Sequence, residues 1–185
     1  MPTIISIQLL NRGSAKTHSK DDAPLKGMSI DNLVYASSSI GHELQTHHPA
    51  LVMLEDYSGG NTHNAFILAC TGEVTGAAKL WMHQEKIPWR EVASGTLKKY
   101  TTGFGGGKKE LMWKGAYKRW GIEESIIGDD NNVLDAYCLA RMGLDLVAFE
   151  EGSTDGFVRY EVESFRKLRL GGAPRRFKGT KDAAA

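Results

Sequence analysis

The sequence predicts an α/β fold, on three observations. Ala50–Leu54 (ALVML) is a short continuous apolar run, the pattern of a strand buried on both faces. Thr3–Leu10 (TIISIQLL) is β-branched-rich and strand-like, and Ile87–Ala93 is a third candidate strand. Between and after these runs lie segments of helical period, so strands alternate with helices.

Asn11–Gly27 is polar and rich in Ser, Lys and Asp, which reads as a loop. Met28–Leu44 places Ile30, Leu33, Val34, Ile40 and Leu44 near helical spacing and is an expected amphipathic helix. After the Ser58-Gly59-Gly60 turn, residues 62–83 form a helix with Ala65, Ala69, Gly72, Gly76 and Leu80 on one stripe. Glycine costs a helix about 1 kcal/mol relative to alanine, so two on one stripe suggest close approach of a backbone, from the sheet or a second subunit. Lys98–Lys109 reads as a basic, glycine-rich loop, and Lys108–Trp120 as a helix with Leu111, Met112, Ala116 and Trp120 inward. Asp129-Asp130-Asn131-Asn132 opens a further helix running to about Leu146. Gly156–Val162 is an expected short strand.

The chain of 185 residues suits one domain, 1–163, followed by a basic tail, 164–185. That tail holds seven basic residues against one acid, Asp182, and reads equally as phosphate-binding or as a solvated end. A formal net charge of +1 gives no global field for a polyanion. Two isolated cysteines, Cys70 and Cys138, supply neither a disulfide framework nor a zinc cluster. The six histidines show no paired metal spacing. There is no signal-peptide pattern and no apolar run near the roughly 18–20 residues a bilayer requires, so a cytoplasmic protein without membrane contact is expected.

Glu55-Asp56 ends the buried strand, at the rim where open α/β sheets place ligands. Carboxylates gathered there suit hard, oxygen-seeking ions such as Mg²⁺. On the later helix, Asn132 and Asp135 stand at i, i+3 and Asn131 and Asp135 at i, i+4, with Asp130 at the entrance. The competing reading is capping and solvation. The Lys98–Lys109 segment combines cations with Tyr100 and Phe104, which could stack on bases, and glycines that let backbone approach phosphate. It is no nucleotide P-loop, because Lys109 is followed by Glu110.

Taken in order, ALVMLEDYSGG (50–60), SGTLKKYTTGFGGGKKELMWKGAYKRWG (94–121) and DDNNVLDAYCLA (129–140) resemble RuvC-type Holliday-junction resolvases of the small phage-like branch. The resemblance implies a ribonuclease H-like mixed sheet flanked by helices. It also implies a homodimer built on helix 62–83, and a metal-dependent endonuclease that resolves four-way or branched DNA by phosphodiester hydrolysis. Two Mg²⁺ ions would be held by Glu55, Asp130, Asn132 and Asp135, with Mn²⁺ able to substitute. The position three before Asp135 is usually acidic in the family and is Asn132 here, so Asp130 is the expected substitute. Lys98 and Lys109 match basic positions that contact the scissile backbone, with Lys99 and Lys108 beside them, and Tyr57 lies near the family's aromatic wedge. The family's opening strand ends in an Asp. Here either Gln8 replaces that acid or, as the polar run Ser14–Lys20 favours, Thr3–Leu10 matches a later strand of the opening meander and the first strand is lacking. In both cases the first metal position has no acid unless Asp21 or Asp22 reaches in. A catalytically impaired junction-binding protein and another ribonuclease H-like nuclease are the alternatives, and a bacterial or phage-infected cell is the implied setting.

Overall fold

The computed structural model describes residues 4–7, 28–56, 65–106, 108–122 and 130–170. In chain order the elements are β1 (Ile4–Ile7), α1 (Ile30–His47), β2 (Leu51–Asp56), α2 (Ala65–Gln84), β3 (Trp89–Ala93), α3 (Ser94–Thr102), α4 (Lys109–Trp120), α5 (Asn131–Glu150), α6 (Arg159–Phe165) and β4 (Arg169–Leu170). The strands form one mixed sheet of order β1-β2-β3-β4, with β1, β2 and β3 parallel and β4 antiparallel to β3.

The period of two along β2 sorts the molecule into two layers. Val52 and Leu54 join Leu44, Ala78, Met82, Ile87 and Trp89 in a core beneath α1 and α2. Leu51 and Met53 face the other way, with Val92, into a larger core built from α3, α4, α5 and α6 that includes Leu97, Tyr100, Met112, Leu134, Cys138, Met142 and Phe165. Glu55 has the parity of Leu51 and Met53 and so points to the α5 layer. Asp56 has the opposite parity.

α1 starts at Ser29, whose hydroxyl accepts the Asn32 amide, and ends at His48 in the left-handed region. Its contact with α2 depends on Gly41. A Cβ there would lie 2.6 Å from Trp81 Cε2, and the indole is tethered because its Nε1 donates to Ser37 Oγ at 2.9 Å. Gly41→Ala is therefore expected to cost about 1–3 kcal/mol by overpacking, seen as a lower thermal midpoint. An unchanged midpoint would mean that Trp81 moves freely. Ile30 and Val34, expected inward, are exposed, while Leu44 is fully buried. Apolar periodicity located this helix, but its inner face is set one turn further along.

Two expectations change. Lys98–Lys109 is not one loop. Residues 94–102 are helical, because Leu97, Tyr100 and Thr101 recur on a buried face, and Gly103 ends the helix at φ 82°. Gly156–Val162 is not a strand. α6 forms instead, with the Glu161 carboxylate accepting the Val158 N–H at 2.9 Å and burying Glu161, Ser164 and Phe165. Ile4–Ile7, the described part of the strand-like Thr3–Leu10, pairs parallel with β2, Ile7 opposite Leu54. Gln8, Asp21 and Asp22 lie outside the described residues. The expected 163/164 boundary falls within α6, Arg169–Leu170 pair with β3, and residues 171–185 lie outside the description.

Candidate active site

β2 and β3 run in parallel, with Glu55 opposite Val92 and Asp56 opposite Ala93, and both end at the same rim. α3 begins directly at Ser94, so this rim also receives the first turn of a helix, with Lys98 one turn further in. α5 packs across β1 and β2. Asp135 lies one turn into α5, near its N-terminal end. α4 contributes its first residue, Lys109.

The electrostatics link these groups. Burial pushes the Glu55 carboxyl above the ordinary carboxylate range, and the neighbouring Asp135 charge pushes the same way; a hydrogen bond from the Ser94 hydroxyl and the charges of Lys98 and Lys109 oppose the rise. Burial likewise raises Asp135 against the pull of Lys109 and Lys98. Two half-buried carboxylates and two ammonium groups therefore share one site. The first turns of α3 and α4 add partial positive charge, and neither N-terminus is closed by a side-chain hydrogen bond. Such a site can hold a hard cation between carboxylates and an anionic phosphate beside the lysines.

The remaining candidates divide. Asp130 is the N-cap of α5, its Oδ1 accepting the Asn132 amide at 2.8 Å. One oxygen of its carboxylate serves the cap, and Asn132 is half-buried one turn before Asp135. Lys99, adjacent to Lys98 but rotated about 100° around α3, is ion-paired to Glu163 of α6 at 2.6 Å, away from the rim. Lys108 is exposed at the entrance to α4. Tyr57 and Asp129 lie outside the described residues. Tyr100 does not stack on bases: it is fully buried and donates to Asp145 Oδ2 at 2.6 Å, whereas Phe104 is exposed. Ser94 is the contact that sequence reasoning missed. Its only signal was its place immediately after the strand paired with Glu55.

Among the described residues no group of three or more His, Cys, Asp or Glu side chains is arranged to hold a metal ion. The donor set still fits a divalent cation in one respect. Glu55 and Asp135 are each disfavoured as anions by burial, and a cation shared between them removes that penalty. Cys138 is no nucleophile, since burial holds its thiol up at about 12. Small-residue packing does not bring the α2 stripe onto the sheet. Cys70, Val74, Ala78 and Met82 make the buried face, a Cβ at Gly76 would meet nothing within 4 Å, and Leu80 is exposed. Among the described residues no helix is long and apolar enough to cross a membrane.

No family profile and no curated protein matches the chain. Solved structures do. Thermus thermophilus RuvC in complex with a Holliday junction substrate is 17% identical, with a TM-score of 0.52 over 64% of this chain and 68% of that one. A second structure of Thermus thermophilus RuvC is 16% identical, with a TM-score of 0.49 over 72% of each chain. The resemblance read from the three sequence stretches and the first of these structural likenesses agree: the chain has a RuvC-like fold.

Proposed function

We propose that this protein is a metal-dependent endonuclease that resolves four-way or otherwise branched DNA by phosphodiester hydrolysis. The observation that carries the reading is the meeting of Glu55 and Asp135 with Lys98 and Lys109 at the strand-end rim of a RuvC-like fold. Two elements far apart in sequence bring the carboxylates together, and the N-terminal turns of two further helices bring the cations.

In this reading Glu55 and Asp135 hold the cation, with Asn132 able to add an amide oxygen. Bound Mg²⁺, or Mn²⁺ in its place, would supply an activated water and charge neutralisation at the phosphate. Ser94 orients the Glu55 carboxylate through its hydroxyl. Lys98 and Lys109 hold the scissile phosphate and offset the negative charge that grows on its oxygens during in-line attack. The exposed stripe of α2, with Gly76 open and Leu80 outward, is the surface through which two copies would pair. A dimer would present two such sites to the two symmetric strands of a junction.

A synthetic four-way junction, labelled on each arm and incubated with Mg²⁺, tests the proposal. Paired nicks in opposite strands are expected, and linear duplex should survive. Lys98→Ala is expected to lower the cleavage rate at saturating DNA by about 10²–10³-fold, the cost of losing one preorganised charge-stabilising donor. A second reading, a junction-binding protein that does not cut, is favoured by the lack, among the described residues, of any group of three or more His, Cys, Asp or Glu side chains placed to hold a metal ion. Tight binding with no nicking in either Mg²⁺ or Mn²⁺ would establish that reading and overturn the first.

A further inference from the structure

α4 carries a second basic surface away from the rim. With about 100° of rotation per residue, Lys114 and Lys118 lie some 140° and 180° around the helix from Lys109, and about 7 and 14 Å further along its axis. Here α4 faces the end of α3 and the Tyr160 ring of α6. Between them lies a groove of about 260 Å³, bordered by Lys114, Lys118, Arg119, Thr102 and Tyr160.

The groove depends on Gly115. A Cβ there would stand 2.7 Å from the Thr101 carbonyl oxygen, so α3 and α4 approach this closely only with glycine at that position. Tyr160 forms the opposite side, its ring 3.5 Å from the place a Cβ would occupy at Gly103. The guanidinium of Arg119 lies on the floor, fixed by Glu161, by the Tyr100 carbonyl and, at 3.8 Å, by Asp145. Lys114 and Lys118 stand exposed at the mouth, and neither has an ion-pair partner among the described residues. Two like charges at i, i+4 destabilise a helix by roughly 0.2–0.5 kcal/mol, a penalty an anion between them removes.

The geometry points to a second phosphate-binding groove on α4, in which Lys114 and Lys118 grip the phosphodiester backbone of a DNA segment other than the one being cut. This inference rests on the proposed action on branched DNA. The volume is below the roughly 300–1,000 Å³ of small-molecule pockets, so it fits a piece of backbone rather than a whole free nucleotide. Its position on the far side of α4 from Lys109 means that one strand section cannot occupy both. A junction, which offers several arms, can fill the two together.

The test uses full-length protein carrying Glu55→Gln to prevent cutting, with and without Lys114→Ala/Lys118→Ala. Affinity for a four-way junction is measured across a NaCl series. Loss of two phosphate contacts should reduce the slope of log affinity against log salt by about 2 and weaken binding roughly 10–100-fold at 0.1 M salt. Lys114→Arg/Lys118→Arg should restore both. Equal slope and affinity with and without the two lysines, while Lys98→Ala still slows cleavage, would overturn the groove and leave the proposed function standing. No junction binding by the protein at all would overturn both. Displacement of the junction by polyglutamate as efficiently as by duplex DNA would overturn the phosphate assignment in favour of an acidic protein partner.

Discussion

Glu55→Gln is expected to abolish junction cleavage, by about 10²–10⁴-fold or more, and yet to raise the thermal midpoint of the metal-free protein at neutral pH. Both effects arise from the same burial. The carboxylate binds a proton more tightly in the folded protein than in the unfolded chain, because burial and Asp135 disfavour its charge. Its contribution to stability is therefore greatest at low pH and falls as pH rises from the ordinary carboxylate value through the elevated folded value. Above that window the ionised group strains the fold, and the neutral amide relieves it. Asp135→Asn should act in the same sense, since burial raises that group too. Mg²⁺ should stabilise the native protein by binding the folded state, and this gain should be missing from Glu55→Gln. Scanning calorimetry between pH 4 and pH 8, with and without Mg²⁺, reads all three effects. Native-rate cleavage by Glu55→Gln would remove Glu55 from the site, and a lower midpoint at neutral pH would contradict the account of its burial.

Arg119→Ala should be the most damaging single change to the fold. The Arg119 side chain donates to the Glu161 carboxylate and to the Tyr100 carbonyl, and its guanidinium carbon lies 4.5 Å above the Tyr100 ring and 4.6 Å from the Trp120 ring. It joins α4 to α3, α5 and α6 at once. Glu161 is buried and also starts α6 by accepting the Val158 amide, so it cannot leave when its partner is removed. Breaking a buried pair from one side costs about 3–5 kcal/mol, because a charge remains without compensation. Urea unfolding followed by tryptophan fluorescence should show a loss of that size. Arg119→Met with Glu161→Leu should recover most of it, since no buried charge is then left over. A loss below about 1 kcal/mol for Arg119→Ala would mean that water already reaches Glu161.

Much of the site could be read along the chain because its rules are local. The apolar run before Glu55 marked a buried strand ending in acids at the rim of a sheet. Asp130 was legible as a helix entrance, since a short acceptor before an apolar-periodic segment satisfies free amides. Glycine at 103 ended a helix that composition alone had suggested was a loop. Basic and aromatic residues in that segment looked equivalent in one dimension. Lys98 and Lys99 are neighbours, and Tyr100 follows them, but successive side chains on a helix diverge by about 100°. One lysine reaches the rim, the next pairs with Glu163, and the tyrosine enters the core.

The sequence by itself determined the alternation of strands and helices and the strand that ends in Glu55. Those features depend on residues within a few positions of one another. Only the tertiary structure decided that α5 crosses β2 so that Asp135 meets Glu55, that Ser94 arrives beside them, and that β1 lies next to β2. Each is a contact between segments separated by tens of residues, set by how two cores close over one sheet, and no local pattern encodes that closure.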